Sequence, residues 1–233
     1  MKGLLIGLFV SLFAVTGFAE IKTETKIQNL KNQIVSLSLE NMKNVETREV
    51  VRKELDPLVA ELNQLAGPVT ERTWFEFAPG GWQQVWSDER DNSPPNAPAQ
   101  DLTQIYQFIS VEGWGFNFGE RKITEDQSVT FALAVVGSIS ENQQTTEITK
   151  AYLRPSPLLK EESLADLSNK IKAGVESGFT ERELGKFPNG PIGAKGVLSL
   201  QFLDKDLKIG YAPNVYTGKV ELFVLRRTDV VIK

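Results

Sequence analysis

The chain has 233 residues, with 26 basic and 30 acidic side chains, no cysteine and no histidine. Without histidine, the Ser-His-Asp and Cys-His nucleophile arrangements, imidazole base chemistry near neutral pH and the common zinc and non-haem iron sites drop out. A net charge of −4 with no basic run argues against nucleic acid as a partner, and the absence of cysteine leaves stability to the core rather than to disulfides.

Lys2 is followed by the mostly apolar stretch Leu4 to Phe18, with Gly17 and Ala19 before Glu20. This pattern predicts a secretory signal peptide over residues 1-19, cleaved after Ala19. Its apolar run is shorter than the roughly 20 residues a spanning helix needs. The expected mature protein is therefore exported, periplasmic or secreted, and soluble. At 233 minus 19, or 214, residues it is long enough for one domain with a substantial core.

Residues 20-70 have helical spacing. Ile27, Leu30, Ile34 and Leu37, then Val51, Leu55, Leu58, Val59, Leu62 and Leu65, mark two amphipathic helices, stopped by Gly67-Pro68. Their polar faces mix Lys, Glu, Asn and Arg and lack the basic bias of a membrane-surface helix. The pair is expected to pack on the outside of the domain that follows; the alternative is a surface that docks a partner.

Residues 71-233 carry the β signals. Trp74-Phe75-Glu76-Phe77 and Trp82 to Trp86 alternate first, and then Ser87 to Pro98 forms a polar, proline-rich loop. Its acids Asp88, Glu89 and Asp91 match neither a calcium loop nor a placeable acid pair, and a solvated turn is expected. An enzyme built on those acids with Tyr106 or Tyr211 is set aside, because general acid-base work needs converging groups. No cofactor and no metal is expected.

Four strands follow over Gln104–Ile109, Val111–Phe118, Gln127–Ser140 and Gln143–Arg154. In the second, Trp114, Phe116 and Phe118 share a face; in the third, Val129, Phe131, Leu133 and Val135 do. Such a face serves equally as the core of a sandwich or as the wall of a ligand cavity. Ser163 to Val175 returns to helical spacing. The chain closes on a meander, with Leu198, Leu200 and Phe202 on one face, Leu207, Ile209 and Tyr211 on the next, and a final run Val220 to Leu225 that is apolar on both faces. The sum is a mainly β domain, an antiparallel barrel of about eight strands with an N-terminal helical pair and one inserted helix.

Several patches, in order, resemble the plastid lipid-associated proteins, or fibrillins, whose domain is a lipocalin-like barrel. They are Gly80-Gly81-Trp82-Gln83-Gln84-Val85-Trp86, Ile105-Tyr106-Gln107, Gly113 to Glu120, Leu203-Asp204-Lys205-Asp206-Leu207-Lys208-Ile209-Gly210, and Leu222-Phe223-Val224-Leu225-Arg226. The chain departs from the family pattern at Lys208, where arginine is usual, and in the longer connection Ala212 to Gly218. The resemblance implies a lipocalin-like barrel that binds a lipid or other hydrophobic small molecule; a monomer is expected, with peripheral membrane association compatible with it. It also implies that Trp82, entered through Gly80, closes one barrel end with Arg226 across its ring. Cavity lining is assigned to Trp86, Trp114, Phe116, Phe131 and Phe202. The rival reading is a structural or interaction module of the cell envelope with a filled barrel.

Overall fold

The structure is a computed structural model that describes residues 4–44, 46–88, 100–124, 126–214 and 217–233, with the side chains of residues 4–20, of Gln100 and of Leu102 left out. The signal-peptide expectation for residues 1-19 concerns side chains outside the described residues, as do the acids Glu89 and Asp91.

Helices α1 (Leu4–Glu40), α2 (Arg48–Ala66) and α3 (Glu71–Phe77) precede strands β1 (Gly80–Ser87), β2 (Gln100–Ile109), β3 (Trp114–Lys122), β4 (Ser128–Ser140) and β5 (Gln143–Arg154). Helix α4 (Leu164–Ala173) and the short β6 (Thr180–Arg182) lead to β7 (Lys195–Leu203), β8 (Leu207–Pro213) and β9 (Val220–Arg227). All pairings are antiparallel. Strand β9 pairs back onto β1, and β5 pairs with both β4 and β7, so eight strands close a lipocalin-like up-and-down barrel. The ninth, β6, adds to the outer half of β5. Register shifts in the β1–β9, β2–β3, β4–β5 and β7–β8 pairings mark bulges, which supply the local bending that closure requires.

Register fixes which side chains point to the axis. Trp82 opposes Gln107, which opposes Asn117, which opposes Leu133; on the other side Trp82 opposes Arg227. These inward residues share a face with Ile109, Leu200, Leu203 and Leu225, which cluster with Trp74 of α3 at one barrel end. The outward face divides between two helical covers. Helices α1 and α2 bring Leu30, Ile34, Val51, Leu55, Val59 and Leu62 onto Trp86, Phe202, Leu207, Ile209, Leu222 and Val224. Helix α4 brings Leu164, Leu167 and Ile171 onto Tyr106, Phe108, Phe116 and Phe118. Both faces of β9 are thus covered, one by helices and one by the barrel's own interior.

The N-terminal cover is pinned at the β7–β8 turn. Asp204 accepts from the backbone N–H groups of Asp206 and Leu207, at 2.8 Å each, and its other oxygen meets the Lys31 ammonium of α1 at 2.5 Å. Asp206 lies 3.3 Å from the same ammonium. The Leu-Asp-Lys-Asp-Leu segment therefore makes the turn and seats the helix together.

One element differs from its sequence reading. Trp74-Phe75-Glu76-Phe77, which alternates like a strand, lies in α3. The Thr70 hydroxyl caps its first turn by accepting from the Thr73 N–H. As a helix the segment inserts Trp74 into the barrel end, where its indole donates to Gln144 at 3.3 Å. A strand would have turned Trp74 and Glu76 together toward the core.

Candidate functional site

The end of the barrel next to α3 is packed solid. Trp74, Trp82, Leu200, Leu203 and Leu225 are all buried there. Toward the opposite end the inward side chains change character. Ile105 of β2, Phe131 and Leu133 of β4, Ile148 of β5, Leu198 of β7 and Phe223 of β9 face the axis but remain only half-buried, and of these Leu198 and Phe223 pack against the cluster at the α3 end. An inward side chain in a closed barrel gains exposure from space inside the barrel or at its mouth. Phe131 packs its ring directly over Gly119, and Leu198 packs over Gly210, so a side chain at either glycine would run into them. The β7–β8 pairing stops at Ser199 and Tyr211, so those strands part toward the same end. The result is an apolar cup closed at the α3 end.

The floor of the cup is cationic. Lys208 points inward opposite Leu225, is fully buried, and lies 5.0 Å from the centre of the Trp82 ring. Its ammonium donates to the Gln107 side-chain carbonyl, and the Gln107 amide in turn donates to Asn117 Oδ1 at 2.9 Å. Among the described residues no carboxylate pairs with Lys208. Burial, with the Arg227 charge nearby, pushes its pKa down to about 7. Arg227 lies 4.0 Å from the Trp82 ring centre and donates to the Phe77 and Pro79 carbonyls at the end of α3 and to Lys205 O. The Trp82 N–H donates to Ala78 O at 2.8 Å. Gly80, at φ +117° beside the Arg227 guanidinium, and Gly81, against the Thr228 carbonyl, leave no room for side chains at this entry.

These positions correct several expectations. The cation over Trp82 is Arg227; Arg226 lies on the outward face and donates from Nε to Gln83 at 2.9 Å. Adjacent strand residues point to opposite faces, so only one of the pair can reach the ring. Of the five expected lining residues, Phe131 faces the lumen. Trp86 and Phe202 face α1 and α2, and Trp114 and Phe116 face outward beside α4. Asp88, from the acidic loop, is buried and holds the Leu222 N–H and the Arg52 guanidinium, so its role is to tie α2 to the barrel. Tyr211 is part of the same exterior tie, donating to Asp56 at 2.8 Å.

Lys208, Gln107 and Asn117 were missed from sequence. The alternation of Leu207, Ile209 and Tyr211 marks one face of β8 and assigns no role to Lys208 on the other, beyond its standing where the resembled family has arginine. The available signal was Gly210, next on that same face, because glycine in a strand marks close packing. Outside the barrel, an apolar groove of about 820 Å³ runs between α4 and the β2–β3 hairpin, lined by Phe108, Val111, Trp114 and Lys172 among others. Among the described residues no group of three or more acidic, histidine or cysteine side chains could hold a metal ion, and no helix is long and apolar enough to cross a membrane. No family model matches the chain, and no curated protein or solved structure does either.

Proposed function

We propose that this chain is an exported, non-catalytic binding protein whose barrel takes one hydrophobic small molecule or lipid. The observation that carries the reading is the ring of half-buried apolar side chains facing the axis, from Ile105 through Phe223, above a closed floor. Burying such a wall against an apolar ligand gains about 25 cal/mol per Å² removed from water, and an eight-stranded barrel has room for one small ligand. Export is supported by the Lys2 to Ala19 pattern, and the lipid class by the fibrillin-like patches. The test is native purification followed by lipid mass spectrometry and titration with a fluorescent fatty acid. One molar equivalent should bind the wild type, and Leu133→Trp, which fills the cup, should weaken binding at least tenfold. The absence of both a co-purifying lipid and saturable uptake would refute the proposal.

A second reading, an interaction module of the cell envelope, is supported by the groove beside α4, where Val111 is 74% exposed. The apolar faces of α1 and α2 are spent on the barrel and are not available for docking. Under this reading Val111→Asp abolishes capture of an envelope partner while Leu133→Trp changes nothing.

A further inference from the structure

We propose that the lumen is selective for an amphiphile with an anionic headgroup of carboxylate type, held at the floor by Lys208 and the side-chain amides of Gln107 and Asn117. The inference rests on the lumen-binding reading and names the ligand class. Three observations converge on it. Lys208 is fully buried, faces the axis and has no acidic partner among the described residues. An ammonium has three N–H donors, and Gln107 is its hydrogen-bond acceptor, so donors remain to be satisfied. Gln107 and Asn117 form a hydrogen-bonded chain with Lys208 on the inward face and, unlike it, are only half-buried.

A buried lysine without a counter-charge is costly, and an apolar residue of similar length would fill the same space without that cost. A ligand carboxylate removes the penalty. Descending with its tail along Phe131, Leu133 and Leu198, it replaces the Gln107 carbonyl at the ammonium. The Gln107 and Asn117 amides are then free to donate to its oxygens. Arg227 adds positive potential across Trp82, although its own donors are used on backbone carbonyls. Glu221 and Arg121, the other ionisable side chains on the described inward face, sit on the open half of the barrel, away from the floor. A headgroup with a single negative charge matches one cation without a counter-charge and two amides.

The experiment compares palmitate with hexadecanol, which share a tail and differ in the headgroup. Both are titrated into the full chain, as wild type, Lys208→Met and Lys208→Arg, at about pH 6, where the ammonium is charged. The wild type should prefer the acid by roughly tenfold or more, the size of one charge-assisted hydrogen bond. Lys208→Met should bring the two within about twofold by weakening the acid alone, and Lys208→Arg should retain the preference. Carboxyl-labelled palmitate bound to the wild type supplies a readout free of substitutions: its carbon resonance should stay at the ionised position well below the ordinary carboxyl pKa. Equal binding of both probes, unchanged by Lys208→Met, would overturn the Lys208 assignment and leave lumen binding standing. Binding of neither probe would overturn the lumen reading itself and this inference with it.

Discussion

Replacing Lys208 with methionine should make the protein's stability less dependent on pH, and the size of the effect follows from the buried ammonium. The folded pKa of Lys208 is about 7, against about 10.4 in an unfolded chain. Between those values the unfolded state binds one more proton than the folded state, so stability rises with pH. Each pH unit contributes about 1.4 kcal/mol, so the wild type should gain about 3 kcal/mol between about pH 7 and pH 9.5 through this group alone. Methionine has no such proton, and the variant should lack that rise. It also leaves the Gln107 carbonyl without its donor, a constant cost of about 1 kcal/mol. Measured against the unfolded value of about 10.4, the whole penalty at pH 7 is about 4 kcal/mol, so the variant is expected to be the more stable by about 3 kcal/mol at pH 7, with the two about equal near pH 9.5. Urea denaturation of both proteins across that range measures it. Tyr106, raised to about 12 by burial, and Tyr211, raised further, affect both proteins alike and only at the alkaline end. Parallel pH curves for the two proteins would refute a desolvated charge at Lys208.

Arg227→Ala should cost about 3 kcal/mol, because it removes the cation over Trp82 and the hydrogen bonds that hold the end of α3, whereas Arg226→Ala should cost about 1 kcal/mol or less; denaturation midpoints in the reverse order would return the barrel closure to Arg226. Gly119→Val places a side chain into the Phe131 ring and should cost about 1 to 3 kcal/mol and reduce ligand uptake. Trp114→Ala should leave uptake of a fluorescent fatty acid unchanged, since that ring packs outside the barrel beside α4. Lys31→Ala should cost about 1 kcal/mol or less and raise hydrogen exchange in α1 more than in the barrel strands, because it cuts the ion pairs to Asp204 and Asp206.

The strands were legible because a two-residue period survives in Trp114-Gly-Phe-Asn-Phe, in Val129 to Val135 and in the final meander. The helices α1, α2 and α4 were legible because their apolar residues recur at three and four. The segment Glu71–Phe77 was not, because seven residues are too few to separate the two periods and its helix is decided by the need to carry Trp74 into the barrel end. The candidate site was legible only through Phe131. The aromatic stripe of Trp114 and Phe116 drew attention as a cavity wall, but large flat rings suit the outer surface where α4 lies across the sheet.

By itself the sequence determined the class of the protein: a β-rich chain with a helical pair in front and a helix inserted late, without histidine or cysteine chemistry. Periodicity says which residues share a face, since alternate side chains of a strand must point the same way. It does not say which face is inside. In a barrel clad by helices both faces are apolar, and only closure of β9 onto β1 decided the matter. That closure put Trp86 and Phe202 under helices, brought Arg227 rather than Arg226 onto Trp82, and made Lys208 the buried cation at the floor of the lumen.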